Sequence, residues 1–219
     1  MIRVSKEEKP QALIDNEANW TNEYLNARAA GGKIPDSIRY RYRHPEVKKV
    51  LRAEAHNKCI YCEQKVSPGE TDHILPVSTK PELIVAWENL GLACKDCNNL
   101  KGDYFSEEEP LINPFVDDAG EHIRFYGPLV VHKTGDSLGF RTVEKIRLRR
   151  TELFERRKER LERIQGMIDA WHALPDGPTK ELAKDKIVEE ALSDKEYSAT
   201  VATYLYQSLG WEIDLKTAS

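Results

Sequence analysis

Residues 59–102 read CIYCEQKVSPGETDHILPVSTKPELIVAWENLGLACKDCNNLKG, and all four cysteines of the chain lie there, as Cys59-x2-Cys62 and Cys94-x2-Cys97. A Cys-x2-Cys turn aims two thiolates at one cation, and two such turns complete a tetrahedral four-cysteine site of the structural Zn²⁺ type. Disulfides are the competing use of paired cysteines, but nothing in the sequence indicates an oxidising compartment. Four protein ligands leave zinc no open position, so this metal staples the fold and performs no chemistry. The 31 residues between the pairs exceed the usual zinc-ribbon spacing, which directs attention to the insert.

The insert carries Asp72-His73 and Asn89, and Asn98 follows the second cysteine pair directly. Hydrolysis of a phosphodiester needs a cation at the scissile phosphate and a base for the attacking water. A hard cation such as Mg²⁺ takes one or two protein oxygens, and Asp72 and Asn98 offer one each. A neutral histidine near pH 7 suits the base, which singles out His73. On a strand it would face away from Asp72. Its ring needs a fixed orientation, and Asn89 is the candidate to supply it, although an Asn there also serves as a turn residue. Asn98 has the competing reading of a helix-start residue. Lys101 is read as a point-charge contact to phosphate or as a solvated helix lysine.

On the pattern Cys59-x2-Cys62, Asp72-His73, Asn89, Cys94-x2-Cys97-Asn98 and Lys101-Gly102, the segment resembles the HNH endonucleases, the ββα-metal nuclease fold in its zinc-stapled version. The resemblance implies that Asp72 and Asn98 bind a catalytic Mg²⁺ (or Mn²⁺), that His73 activates water and that Asn89 orients His73. Many relatives have His where this chain has Asn98, a departure that favours a hard ion. A wider resemblance runs through VSKEEKPQAL, LINPFVDDAGEHIRF and RTVEKIRLRRTELFERRKERL, over roughly residues 3–165. It is similar to the HNH subunits of Septu-type anti-phage modules. That resemblance implies a DNA substrate and a partner ATPase of the ABC or SMC-like kind. Some such modules accompany retrons, so an assembly with a retron reverse transcriptase and its ncDNA is a further implied partner.

The rest of the chain frames this centre. A net charge of −4 hides a strong asymmetry: seven basic and two acidic residues between Lys33 and Arg52, ten and five between Arg141 and Ile164, five and ten from Gln165 onward. Local fields govern polyanion binding, so the two basic stretches outweigh the total, unless they are simply solvated helix faces. The 40 % hydrophobic content supports a core, and no run is long enough to span a bilayer. A cytoplasmic protein without a membrane partner is expected.

Apolar spacing predicts a helix over residues 11–30 and another beginning near Pro45. RYRYR (39–43) reads as a half-buried strand, with phosphate contact and base stacking as the competing use. HIRFYG, LVVHKT and LGFRT are short β-prone runs that predict a small meander or hairpin, and residues 142–174 one long helix. Two more helices follow, and Trp87 and Trp171 read as core. His122 and His132 read as strand histidines rather than ligands. The expected fold is α+β: a central ββα-metal HNH nuclease core (57–140) between N-terminal (1–56) and C-terminal (141–219) helical regions. The expected activity is metal-dependent DNA cleavage. The alternative is a non-catalytic zinc-stabilised nucleic-acid- or protein-binding module, which would have no need of a base beside a hard-cation ligand.

Overall fold

The computed structural model describes residues 1–214; residues 215–219, the end of the helical region expected over 141–219, lie outside the described residues. Pro10 precedes α1 (Gln11–Ala29), and Gly31 and Gly32, both at positive φ, end it as the sequence predicts. RYRYR is not a strand. It forms the end of α2 (Asp36–Arg39) and a 3-10 turn, Arg41–Arg43. Its backbone bonds locally instead of to a ladder: the Arg39 N–H donates to the Pro35 carbonyl and the Arg43 N–H to the Tyr40 carbonyl, both at 2.9 Å. Pro45 then occupies the first turn of α3 (Pro45–Glu54), where its missing N–H costs nothing, and Val47 and Leu51 are fully buried.

β1 (Glu70–His73) pairs antiparallel with β2 (Leu90–Ala93), placing Asp72 opposite Gly91 and His73 opposite Leu90. α4 (Lys95–Lys101) follows at once, with the Cys94 sulfur accepting from the Cys97 N–H at 3.4 Å as its N-cap. This is a ββα unit. The Ile60 N–H donates to the Leu92 carbonyl at 2.9 Å, tying the first knuckle to β2.

Of the two expected forms the structure has the hairpin, β3 (Ile123–Tyr126) and β4 (Leu129–His132). The third run is helical, within α5 (Ser137–Lys145), because Asp136 caps it through the Gly139 N–H at 2.6 Å. His122 and His132 are structural: His122 pairs with Asp136 at 2.7 Å and the His132 ring packs on Phe140.

The long helix expected over 142–174 is broken. α5 ends at Lys145, Arg147 adopts a left-handed φ of 51°, and α6 (Thr151–His172) starts afresh. Ile146 and Leu148 are both fully buried, and residues two apart on one helix point to different sides. The kink lets both enter the core.

α7 (Pro178–Glu189) and α8 (Ser198–Leu209) complete the chain. One hydrophobic cluster joins Leu13, Leu51, Trp87, Leu90, Ile146 and Leu153; a second gathers Leu161, Ile164, Ile187, Val201 and Leu205, with Trp171 half-buried against it. No helix among the described residues is long and apolar enough to cross a membrane.

The segment before α8 clamps the first zinc knuckle. Lys58 donates to the Lys195 carbonyl at 2.9 Å, and the buried Glu63 accepts from Ser198 Oγ at 2.7 Å and from the Ala199 N–H at 3.2 Å, besides taking the Met1 amino group.

An N-terminal strap lies across the other side of β2. Lys6 donates to the Leu90 carbonyl at 2.6 Å, pairs with the buried Glu54 at 3.0 Å and sits 3.8 Å from the Trp87 ring centre. Burial pushes the Glu54 carboxyl up to about 7, against the pull of Lys6. A raised carboxyl contributes stability that is fully present below its unfolded value near 4.3 and is lost as pH rises through about 7. Between pH 4.5 and 7.5, wild type is therefore expected to lose on the order of 3 kcal/mol relative to Glu54→Gln. Urea unfolding of both proteins at the two pH values checks this, and parallel stability curves would contradict it.

Candidate active site

The four-cysteine cluster is the scaffold of the site. One sulfur from each of Cys59, Cys62, Cys94 and Cys97 lies within 4.8 Å of the others, all four residues buried and none in a disulfide. Cys62 and Cys94 are 3.9 Å apart at sulfur, close to the edge of about 3.8 Å that a tetrahedron with 2.3 Å metal–sulfur bonds requires. So close a group of buried sulfurs cannot ionise together without a cation between them. The donor set fits Zn²⁺.

Sequence reasoning missed one partner of this centre. Arg150, the residue before α6, directs its guanidinium to the sulfurs of Cys97 at 3.5 Å and Cys94 at 3.9 Å. Burial works against its charge, but the nearby cysteine sulfurs outweigh it. No spacing in the sequence signals this contact, which the break before α6 creates. Outer contacts of this kind tune metal affinity, so Arg150→Ala is expected to weaken zinc binding by about 10–100-fold. Competition against a chromophoric chelator measures it; an unchanged affinity would show the contact to be incidental.

Beyond the staple, β1, the C-terminal half of α4 and the loop after β1 line part of one groove of about 890 Å³. His73 and Asp72 both reach it, as do Asn98, Lys101 and Glu70. The His73 Nε2 lies 2.8 Å from the Ile84 carbonyl. A carbonyl can only accept, so Nε2 carries the proton and Nδ1 is the basic nitrogen. Burial pushes the ring's pKa down to about 4, which leaves it neutral near pH 7. The Tyr42 ring packs edge-on against it, 4.6 Å between centres.

Asn89 does not touch His73 directly. Its amide accepts from the Leu75 N–H at 2.8 Å and donates to the carbonyls of Leu75 at 3.0 Å and Leu83 at 3.3 Å. It closes the loop whose next residue, Ile84, supplies the carbonyl that fixes the ring. Any effect of Asn89 on the ring would pass through this backbone.

Lys101 also differs from expectation. It is 3 % exposed and paired with Asp72 at 3.2 Å, and it donates to the His73 carbonyl at 2.8 Å. A lysine so enclosed is a neutralising partner for Asp72 rather than a free phosphate contact. Asp72 is itself 3 % exposed and accepts from Tyr61 Oη at 2.6 Å. Burial raises its pKa, with Lys101 and Tyr61 pulling the other way.

Asn98 donates from Nδ2 to Glu70 at 2.8 Å. That bond fixes the amide's orientation and leaves its oxygen as the acceptor. Glu70 is the carboxylate that sequence reasoning overlooked, although its position two residues before Asp72 on a strand puts it on the same face. Asp72, Glu70 and Asn98 together are hard oxygen donors of the type Mg²⁺ or Mn²⁺ takes, and a cation there would share Asp72 with the Lys101 ammonium.

Comparison with known proteins agrees with this geometry. The profile of the HNH endonuclease family matches residues 59–104. Over 226 aligned residues the chain is 31 % identical to the Septu protein PtuB of Bacillus thuringiensis, covering 95 % of this chain and 83 % of that protein. A second Septu protein PtuB, from Bacillus mycoides (strain KBAB4), is 28 % identical over 197 residues, or 72 % of this chain and 66 % of the relative. With its cysteine cluster, its ββα unit and His73 inside the matched segment, the chain belongs to the Septu PtuB family and carries an HNH endonuclease domain.

Proposed function

We propose that the chain is a divalent-cation-dependent endonuclease that hydrolyses phosphodiester bonds of DNA, the nuclease effector of a cytoplasmic Septu-type anti-phage complex with a partner ATPase. One observation carries the catalytic part: a neutral histidine with a free Nδ1 shares a groove with the oxygen donors Asp72, Asn98 and Glu70. A hard cation held by these residues, Mg²⁺ or Mn²⁺, would stabilise charge on the phosphate and the leaving oxygen.

In this reading His73 Nδ1 takes the proton of the attacking water. The water oxygen bonds to phosphorus, and the leaving deoxyribose oxygen departs with the bonding pair. The Ile84 carbonyl holds the ring on its far side, and Asn89 holds the loop that carries Ile84. Tyr61 and Lys101 favour the ionised form of Asp72, against its burial.

A second reading has one observation in its favour. Both Asp72 oxygens already have protein partners, as in a zinc-stapled binding module without catalysis. Plasmid DNA incubated with the purified chain and Mg²⁺ or Mn²⁺, alone and with its ATPase, separates the two. Nicked or linear product in either condition is expected. Intact plasmid in all of them, from protein that is folded and zinc-loaded, would favour the binding module.

A further inference from the structure

The wall of the groove facing β1 is built by the Arg39–Arg43 turn and by Lys48 on α3. The three arginines of this turn do different things. Arg41 is committed to the fold: its guanidinium pairs with Glu23 at 2.6 Å, donates to the Ser37 carbonyl at 3.0 Å and covers the Trp20 ring. Arg39 and Arg43 are exposed, line the groove and have no carboxylate partner among the described residues. Lys48 is likewise exposed and unpaired there.

The tyrosines of the same turn serve these arginines. Tyr40 carries the guanidinium carbons of Arg43 at 4.2 Å and Arg39 at 5.5 Å from its ring centre, and Tyr42 carries Arg43 at 5.3 Å. Stacking on a ring restricts a guanidinium's motion while leaving its donor edge free, the geometry in which arginine grips phosphate. The rings are thereby occupied: Tyr40 by two guanidiniums, Tyr42 by Arg43 and by the edge contact with His73. They are supports, not platforms for bases. Across the groove stand Glu70, Asp72 and Asp103, so a cationic wall faces an acidic floor.

We propose that Arg39, Arg43 and Lys48 form a rail that grips the phosphates of a nucleic-acid strand and runs it past His73 without reading its bases. The proposal rests on the nuclease reading of the same groove, but it is tested by binding alone. Each phosphate neutralised by a basic side chain releases counterions, so the affinity falls with salt in proportion to the number of contacts.

The experiment uses the full chain with His73→Ala, so that nothing is cut, and fluorescein-labelled oligonucleotides of two unrelated sequences, each as duplex and as single strand. Anisotropy titrations at several salt concentrations give the slope of log K against log salt. Each of Arg39→Ala, Arg43→Ala and Lys48→Ala is expected to lower the slope by about 0.9 on duplex or about 0.7 on single strand, equally for both sequences. Arg41→Ala, whose side chain points to Glu23, is expected to leave the slope unchanged.

A triple variant with the wild-type slope and unchanged thermal unfolding would overturn the rail, as would a loss confined to one sequence. A chain that binds neither oligonucleotide form would overturn it as well. Failure of the parent reading looks different: a wild-type chain that binds with the expected slope yet cuts nothing, with or without its ATPase.

Discussion

His73→Ala is expected to slow DNA cleavage by about 10²–10⁴-fold, the contribution typical of a positioned general base. The geometry behind this expectation is specific. Burial keeps the ring neutral, a backbone carbonyl fixes its tautomer, and Nδ1 is left without a protein partner among the described residues. Removing the imidazole deletes the only group in the groove with that combination. The groove's oxygen donors stay in place, because Asp72 is held by Tyr61 and Lys101 and Asn98 by Glu70.

The loss should therefore fall on the chemical step and spare the fold. Single-turnover cleavage of a labelled duplex reads the rate, while metal analysis and thermal unfolding read integrity. The aromatic contact with Tyr42 is lost too, at a stability cost of about 1 kcal/mol. Equal cleavage rates in the two proteins would remove His73 from the mechanism.

Replacing Cys97 by Ser, or stripping the metal with a chelator, is expected to unfold the central core. Structural zinc sites contribute an apparent 10–16 kcal/mol at neutral pH, as much as or more than the total stability of about 5–15 kcal/mol of a typical domain. Here the four sulfurs join two segments that lie far apart in the chain and bring them together inside the main core cluster. The first knuckle is tied to β2 by Ile60 and Leu92, and the second knuckle is the first turn of α4. Cys97 is fully buried at the centre of that turn. Loss of close to one zinc per chain should accompany loss of near-native circular dichroism and of DNA cleavage together. A Cys97→Ser protein with native circular dichroism and no bound metal would show the staple to be dispensable.

How much of this was legible beforehand depends on the kind of interaction. The cysteine pairs could be read because they rest on local spacing, two residues between thiols. His73 was singled out by its chemistry, and the ββα unit was implied by the resemblance to the HNH endonucleases. The proposed cation site was legible in part. Asn98 was noticed for following a cysteine, whereas Glu70 carried a signal, its two-residue offset from Asp72, that was not used.

Other features go against local spacing or depend on what lies across the molecule. RYRYR alternates like a strand, but its backbone bonds locally instead of to a ladder. Lys101 looks like a surface helix lysine until Asp72 closes over it. Arg150 reaches the thiolates because two buried residues, Ile146 and Leu148, force the helix to restart beside them. Asn89 reaches His73 through two backbone segments, a relation that no spacing rule expresses.

The clamp on the first zinc knuckle has a consequence in time. Glu63 receives Ser198 and Ala199 across separations of 135 and 136 residues. During synthesis the knuckle emerges from the ribosome long before the segment that closes over it. At about 5–20 residues per second, the interval is roughly 7–30 s. Through that interval the Glu63 carboxylate lacks two of its native donors, and the metal staple stands without its C-terminal cover. The cysteine cluster thus reaches its finished environment only after residues 198 and 199 have been synthesised. The order of synthesis itself delays completion of the site.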